Sequence, residues 1–419
     1  IEGIDANYTQ IGPLNRQGTI TYGPNDTTES FDFGEGRGWD GHVSGGSIKL
    51  DLGNDWQLVD RFNLTKGEAN TFGLVPNGSA TTVANVADNG ESATGAVTGT
   101  VYDGDTPIQQ IGRWVVLKDI EAFTNDLAVS KSWEDFDTSF GIYSATTKAK
   151  DWWSIGNTAY HVLQPGGELL DGIECNTDAQ GCDWNYDISS VGDASTLAVY
   201  ATGTWYATTD LSIDLGLRRE NHEVSYSVDE GLDGEITKAL EYDETKTSWT
   251  VGANYALNDT SGVFVRMNRG YKMPYFDDFR DNWGAYTGGN DLIKEVTQGE
   301  LGYKFMNDSI QFFATAFANE VKGDTFVRRP GAPAEILTNE AYGLELDGRY
   351  SHDSGFSLSV NATIQETEIT ESAENEGNEA QRQPGWQVRV TPSYGFDIGD
   401  IFAKVYGTLS AVDDRFGNN

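Results

Sequence analysis

Residues 356–365 read FSLSVNATIQ, and this stretch decides the fold class. Phe356, Leu358, Val360, Ala362 and Ile364 alternate strictly with polar residues. A period of two places the apolar side chains on one face of an extended strand and the polar ones on the other, whereas a helix would need a period near 3.6. The same two-residue alternation recurs in 211–218, 342–350 and 386–396.

The links between such segments alternate in length. Short links rich in Asp, Asn and Gly occur at 53–55, 208–210, 258–262, 306–308, 352–355 and 397–400. Long polar stretches lie between them, at 68–111, 175–192, 225–245, 272–296, 322–336 and 369–384. Short periplasmic turns and long extracellular loops are typical of a transmembrane barrel, whereas a soluble sandwich has long loops at both ends.

We therefore predict an all-β fold, a transmembrane antiparallel β-barrel. Consistent up-and-down directions give sixteen strands, and one or two more are expected within 1–40. The predicted strands are 41–53, 55–67, 118–132, 136–147, 154–164, 167–174, 194–206, 210–224, 246–257, 262–271, 297–306, 309–321, 337–350, 355–368, 385–396 and 400–412. In lipid a sheet must satisfy every backbone group by closing on itself. The side chains of Leu358, Val360, Ala362 and Ile364 should then face lipid, and those of Ser359, Asn361 and Thr363 the lumen.

Charge excludes one large class of partner. Asp and Glu number 65 against 28 Lys and Arg, a formal net charge of −37. Phosphate backbones bind basic surfaces, so a nucleic-acid partner is excluded. The expected surroundings are a lipid bilayer and lipopolysaccharide.

Two cysteines, Cys175 and Cys182, lie close together in CNTDAQGC. In an oxidising compartment this spacing among turn-forming residues favours a disulfide at the tip of an extracellular loop. Two free thiols are the alternative.

The stretch 261–350 resembles the TonB-dependent receptors. It contains GVFVRMNRGYKMPYFDDF, QGELGYKF, SIQFFATAFANEV and NEAYGLELDGRY. The positions that match the family pattern are Arg269, Gly270, Tyr271, Pro274, Glu300, Leu301, Gly302, Gly343, Leu344 and Glu345. The resemblance covers roughly 41–412 and implies a 22-stranded barrel of the Gram-negative outer membrane, with about 16–18 of its strands in this chain.

The resemblance also implies what else the protein needs. We expect 1–419 to be a partial barrel that lacks the N-terminal plug domain, its TonB box and the C-terminal closing strands. The TonB complex would act through those parts. The implied function is active import of a scarce bulky nutrient. A passive diffusion porin and a surface adhesin or phage attachment protein remain alternatives.

Catalytic residues are not expected, because none of the four histidines has zinc-type or triad-type spacing. The loops are acidic, which indicates either calcium binding or a solvated surface. They also carry aromatics beside carboxylates, a combination that suits sugar rings or siderophores. The candidate substrate-binding residues are Tyr275, Asp277, Asp278, Trp283, Tyr286, Trp184 and Tyr186. Oligosaccharide and ferric siderophore both stay open, and no cofactor is expected.

Overall fold

The computed structural model describes residues 11–87, 90–164, 166–173, 185–326 and 335–415. Within these ranges the chain forms twenty β-strands, two short α-helices and two 3₁₀ turns. The all-β prediction is confirmed.

The first ten strands are β1 (Gln17–Tyr22), β2 (Thr27–Asp32), β3 (Arg37–Gly53), β4 (Trp56–Thr82), β5 (Ser92–Gly95), β6 (Val101–Asp103), β7 (Pro107–Ser132), β8 (Phe136–Val162), β9 (Leu170–Asp171) and β10 (Tyr186–Tyr206). The others are β11 (Leu211–Glu230), β12 (Lys238–Asn258), β13 (Ser261–Lys272), β14 (Lys294–Met306), β15 (Ile310–Phe326), β16 (Glu335–Ser351), β17 (Phe356–Glu371), β18 (Trp386–Ile398), β19 (Ile401–Tyr406) and β20 (Leu409–Val412). The helices are α1 (Phe276–Asp281) and α2 (Trp283–Thr287), and the 3₁₀ turns are Phe33–Glu35 and Val83–Asn85.

One large antiparallel sheet contains most of the strands. Its order is β3-β4-β7-β8-β10-β11-β12-β13-β14-β15-β16-β17-β18-β19, and β20 also pairs with β18. Sequence neighbours are therefore sheet neighbours throughout, as in an up-and-down barrel. In the described part of the chain β3 and β19 do not pair with each other. Closure of the barrel therefore stays a prediction.

The short turns all lie at one end of this sheet, as the link lengths predicted. At the turn between β3 and β4, Asn54 and Asp55 have φ values of 52° and 63°. A two-residue hairpin of type I′ needs positive φ at both positions, and Asn and Asp tolerate it better than other residues with a Cβ. Trp56 and Trp133 pack edge to face beside this turn with ring centroids 6.3 Å apart, where an aromatic belt is expected.

The predicted strand count needs a correction. Because β19 and β20 both pair with β18, the fifteen strands of the sheet fill fourteen positions, not sixteen. The predicted strands 154–164 and 167–174 are not separate crossings. The first is the continuation of β8. Within the described residues of the second, 167–173, only Leu170–Asp171 forms a strand, which pairs with β5 in a small separate sheet. Within 1–40, the hairpin β1–β2 forms its own two-stranded sheet.

Strands were also predicted too short. The two longest, β4 and β8, have 27 residues each, whereas a tilted crossing needs about 9–11. The sheet therefore continues well beyond the bilayer at the end opposite the short turns. Much of the predicted loops 68–111 and 225–245 belongs to these extensions.

The strand register separates two faces of the sheet. Directly paired residues share a face, so the pairs can be followed from strand to strand. We call the face with His222 and Tyr226 the inner face, because α1 packs on it, and the opposite one the outer face. The predicted partition in β17 is confirmed. Leu358, Val360, Ala362 and Ile364 lie on the outer face, and Ser359, Asn361 and Thr363 on the inner face.

The polarity of the two faces reverses along β11. On the outer face the apolar Leu215 and Leu217 are 53% and 56% exposed, and Arg219 follows them. On the inner face the polar Arg218 is followed by buried Val224 and Tyr226. An outer apolar face suits lipid and an inner apolar face suits a packed core, so the reversal marks the outer edge of the membrane.

A small lobe caps the extended ends of β4, β7 and β8. The hairpin β1–β2 packs on their outer face through Ile20 and Phe33, and β5, β6 and β9 pack on the inner side through Leu170. Within the lobe the buried carboxylate of Glu168 accepts hydrogen bonds from the backbone amides of Val97 (3.0 Å) and Thr98 (2.9 Å). No helix in the described ranges is long and apolar enough to cross a bilayer.

Candidate functional site

The segment 273–293, which contains α1 and α2, covers the inner face beyond the membrane. Met273, Phe276 and Phe279 are buried against Val224 and Tyr242 of the barrel wall. Both wall residues lie on the inner face, in the part of the sheet beyond the polarity reversal where that face is apolar. Burying the aromatic rings of the segment in this core fixes its position over the mouth of the barrel.

His222 holds the start of this segment against the barrel wall by hydrogen bonds. Its Nε2 lies 3.0 Å from the carbonyl oxygen of Pro274, and its Nδ1 lies 2.8 Å from the hydroxyl of Thr196. A carbonyl can only accept, so Nε2–H donates to Pro274, and in the neutral ring Nδ1 accepts from Thr196. Pro274 was one of the family-motif positions. Its backbone carbonyl is the group that His222 binds.

Arg280 fastens the middle of the segment. Its side chain is only 6% exposed and lies 2.6 Å from Asp277, 2.9 Å from Asp281 and 3.7 Å from Asp151 of β8. The guanidinium stacks on Trp153 at 4.1 Å from the ring centroid. Burial opposes the charged form, yet the neighbouring carboxylates raise the pKa of Arg280 above its ordinary value. Arg280 therefore links the segment to the barrel wall through charged contacts, and we call this arrangement the Arg280 latch.

The two predicted aspartates, Asp277 and Asp278, also form ion pairs in this region. Asp277 pairs with Arg280 and, at 3.3 Å, with Lys118 of β7. Although the side chain of Asp277 is 59% exposed, partial desolvation by the packed segment opposes its charged form. The two cations outweigh this effect and lower the pKa of Asp277. Asp278 accepts from the backbone amide of Tyr275 at 2.9 Å and pairs with Lys272 at 3.1 Å. Both carboxylates therefore already hold partners within the protein, which the sequence did not indicate.

The predicted aromatics divide into packed and accessible side chains. Trp283 and Tyr286 are partly buried against the inner core, with their rings 6.2 Å apart. Tyr186 packs edge-on against Trp153 at 6.5 Å. Tyr275 is 40% exposed, and its ring centroid lies 5.1 Å from that of His222 on the inner face. Trp184, Cys175 and Cys182 lie outside the described residues, so the disulfide stays a prediction.

A cavity of about 500 Å³ opens below the segment, close to the outer edge of the membrane. Tyr143 and Tyr200 line it together with Arg218, whose guanidinium carbon lies 4.9 Å from the Tyr143 ring centroid. The hydroxyl of Tyr200 donates to Asp126 at 2.8 Å. Aromatic faces beside a guanidinium can hold a flat, oxygen-rich ligand by stacking and by hydrogen bonds.

These cavity residues were missed because their neighbours in space come from different strands. The register pairs Ala198 with Tyr143 and Tyr200 with Arg218. It thereby brings together Tyr143 and Tyr200, which are 57 residues apart in the chain, and Arg218, which follows 18 residues later. A signal for the inner core did exist in the sequence. In 211–228 the apolar residues shift from odd to even positions, from Leu217 to Val224, and that phase change marks the point at which the inner face becomes apolar.

A bound cation has no evident site in the described ranges. No group of three or more His, Cys, Asp or Glu residues there is placed to hold a metal ion. The carboxylates that surround Arg280 already have cationic partners. Calcium binding at the acidic loops therefore stays an untested prediction.

The architecture is typical of an outer-membrane β-barrel protein. Its sheet is antiparallel throughout, its outer face is apolar over one zone, and its long connections gather at one end. The family model described as "TonB dependent receptor-like, beta-barrel" matches residues 3–419. The chain therefore belongs to the TonB-dependent receptor family, whose members are outer-membrane receptors and not enzymes.

Curated relatives are distant and longer. The chain is 25% identical over 236 residues to the pesticin receptor of Yersinia enterocolitica, a match that covers 53% of this chain and 33% of the relative. It is also 25% identical over 233 residues to the rhizobactin receptor of Rhizobium meliloti, covering 46% of this chain and 30% of the relative. The matches thus span about a third of these relatives.

Solved structures show the same fold. The ferric yersiniabactin uptake receptor of Yersinia pestis superposes with a TM-score of 0.55 at 15% identity, covering 96% of this chain and 69% of that one. The ferric preacinetobactin receptor of Acinetobacter baumannii gives a TM-score of 0.60 at 14% identity, with coverages of 94% and 55%. A copper transporter gives 0.56 at 14% identity, with coverages of 96% and 62%.

Proposed function

We propose that this barrel belongs to an active outer-membrane importer of a ferric siderophore, energised through TonB. Membership of the receptor family supports the transport class. The names of the relatives support the substrate class, because two solved neighbours take up ferric siderophores. The observation that carries the proposal to this chain is the cavity of Tyr143, Tyr200 and Arg218 beneath the accessible ring of Tyr275.

The chemistry of the cavity fits such a ligand. Siderophore complexes are compact, carry oxygen donors and often contain flat rings. Tyr143 and Tyr200 offer faces for stacking. Nε and Nη2 of Arg218 donate to Glu220, which leaves Nη1 to donate to chelate oxygens. Energised release would act through a plug domain and a TonB box, which the family resemblance implies for the whole protein.

The test is iron uptake by cells that carry the full-length gene as their only receptor of this class. Cells would be supplied with labelled iron on one chelate at a time, with and without a protonophore. Import through TonB predicts saturable uptake that stops when the proton gradient collapses. Uptake that persists without the gradient would mean a passive porin. Binding without uptake of any chelate would mean a surface attachment protein.

Variants locate the site. Tyr275→Ala and Arg218→Gln should each weaken chelate binding. Loss of a buried anchor typically costs about 1–3 kcal/mol, roughly tenfold to over a hundredfold in affinity. The matched control is Arg349→Gln, since Arg349 lies on the inner face of β16 far from the cavity. Trp283→Ala and Tyr286→Ala separate binding from packing, because a packing role would lower surface abundance and leave affinity unchanged.

An oligosaccharide is the second candidate substrate. The observation in its favour is the group of partly exposed aromatics, Tyr275, Trp283 and Tyr286, on one segment over the mouth. Growth on a neutral oligosaccharide as sole carbon source, lost on gene deletion while iron uptake is unchanged, would favour it.

A further inference from the structure

A second cavity lies on the inner face at the extended ends of β15, β16 and β17. Its volume is about 360 Å³, which is within the range of about 300–1,000 Å³ of small-molecule sites. The strand register places Asn319 and Gln365 of its lining on the inner face. The segment 372–385 covers it from above.

The cover is held in place by the wall. The amide of Ala380 donates to the hydroxyl of Thr367 at 3.1 Å, and the side chain of Gln365 donates to the carbonyl of Pro384 at 3.1 Å. Glu335 accepts from the amide of Glu374 at 2.9 Å and from the side chain of Asn375 at 2.6 Å. The cavity is therefore preformed, which spares a ligand the entropic cost of ordering the cover.

Amide groups with unused hydrogen-bonding capacity line this cavity. The Oδ1 atom of Asn339 is buried without a partner, although its Nδ2 donates to Asp324 at 3.0 Å. The side-chain amides of Asn319, Gln381 and Gln383 line the same cavity and are partly or fully exposed. A buried polar atom without a partner is costly, so a ligand that donates to Oδ1 of Asn339 would be favoured, and the exposed amides can bond it in exchange for water.

Two carboxylates line the cavity, Asp324 and Glu340. The register pairs Glu340 with Glu320 and Glu368 on the outer face, so Asp324 is the carboxylate that faces the cavity. One oxygen of Asp324 accepts from Lys294 at 2.7 Å and from the amide of Thr325 at 2.9 Å. The other oxygen accepts from Asn339. Lys294 and Asp324 thus neutralise each other, and neither attracts an anion or a metal ion. The floor is apolar, because Leu337 and Ile369 are 8% and 4% exposed.

We propose that this cavity binds a neutral, hydroxyl-rich ring, namely a single sugar unit. Each side-chain amide offers both donors and an acceptor, so it can exchange two hydrogen bonds with neighbouring hydroxyls. A sugar ring has an apolar C–H face that suits Leu337 and Ile369, and a hydroxyl rim that suits the amides. Because the cavity opens to the inner face, its ligand enters through the mouth and does not come from the surrounding outer leaflet.

The test is binding of neutral methyl glycosides to the purified full-length protein in a detergent without a sugar headgroup. Saturation-transfer NMR with methyl glucoside, galactoside and mannoside at millimolar concentration measures the affinity directly. Glucuronate is the charged comparison. Asn339→Leu and Gln381→Ala remove pocket amides, and Gln381 lies on the cover, where a substitution leaves the barrel wall intact. Gln311→Ala is the matched control, since Gln311 lies on the inner face of the same strand as Asn319, near the opposite end.

Saturable binding of at least one neutral glycoside is expected, weaker binding of glucuronate, and a loss of about 2- to 12-fold for each hydrogen bond removed. Wild-type affinity should persist in Gln311→Ala. Absence of saturable binding for all three glycosides would overturn the proposal, and so would unchanged affinity in both pocket variants. No iron is present in this assay, so its outcome is independent of the ferric-siderophore proposal.

Discussion

Replacing Arg280 with methionine should release the 273–293 segment from the barrel wall. Methionine keeps most of the apolar stem of arginine and removes the guanidinium that links Asp277, Asp281 and Asp151. It also removes the stack on Trp153. The segment would then be held mainly by its aromatic core and by His222.

The expected free-energy cost of the substitution depends on which carboxylates remain buried. Asp277 and Asp281 are 59% and 43% exposed, so water can replace the lost arginine at both. Asp151 is 5% exposed and keeps only Lys118, at 3.0 Å. Removing one partner of a buried pair costs about 3–5 kcal/mol. Because Lys118 remains, we expect the low end, about 3 kcal/mol, which is roughly a hundredfold in the opening equilibrium.

Hydrogen exchange in the detergent-solubilised protein measures this opening. The amides of Phe279, Asn282 and Tyr286 report on it, because each donates to a backbone carbonyl within the segment. They should lose about a hundredfold of protection in Arg280→Met, whereas amides in the centre of β11 should not change. Local opening of this kind exchanges independently of global unfolding.

A second substitution tests the cause. In Arg280→Met with Asp151→Leu the uncompensated buried charge is gone, so protection should partly return. Arg349→Met is the matched control and should leave the three amides unchanged. Equal protection in wild type and Arg280→Met would refute the latch, and a double variant as open as the single one would refute the buried charge as the cause.

Three further predictions follow from the fold. Val360→Arg on the outer face should destabilise the barrel in bilayers by about 2–4 kcal/mol, while Ser359→Arg on the inner face should be tolerated; equal costs in a folding titration would contradict the assigned faces. Burial opposes the charged form of Glu168, but hydrogen bonds from the loop that it holds lower its pKa. The carboxylate therefore contributes fully to the stability of the cap above its unfolded pKa of about 4.3. This contribution is lost as the pH falls through the lower folded pKa. Hydrogen exchange of the cap between neutral and acidic pH should show this loss, and Glu168→Gln should abolish the pH dependence. Mass spectrometry of the unreduced protein should find Cys175 joined to Cys182, and two alkylatable thiols without reductant would contradict that pairing.

The candidate site was only partly predictable from sequence. The sequence identified the segment over the mouth, because the first group of family-motif positions ends at Pro274 and aromatics follow it. It could not show that Asp277 pairs with Arg280, because that pairing depends on a helical turn that brings residues three apart together. Nor could it show that Asp151, 129 residues earlier in the chain, lies against the same guanidinium.

The sequence by itself determined the period of two, the short turns at one end and the outer and inner sets of side chains. These are local properties, since alternation and turn residues act within a few positions of the chain. Only the tertiary structure decided where each strand ends, because the polar extensions of β4 and β8 are stabilised by pairing with neighbouring strands and not by their own composition. It alone also brought Tyr143, Tyr200 and Arg218 to one cavity, and Asn319, Asn339 and Gln381 to another. Long-range register sets those positions, and a single strand does not encode the register of its neighbours.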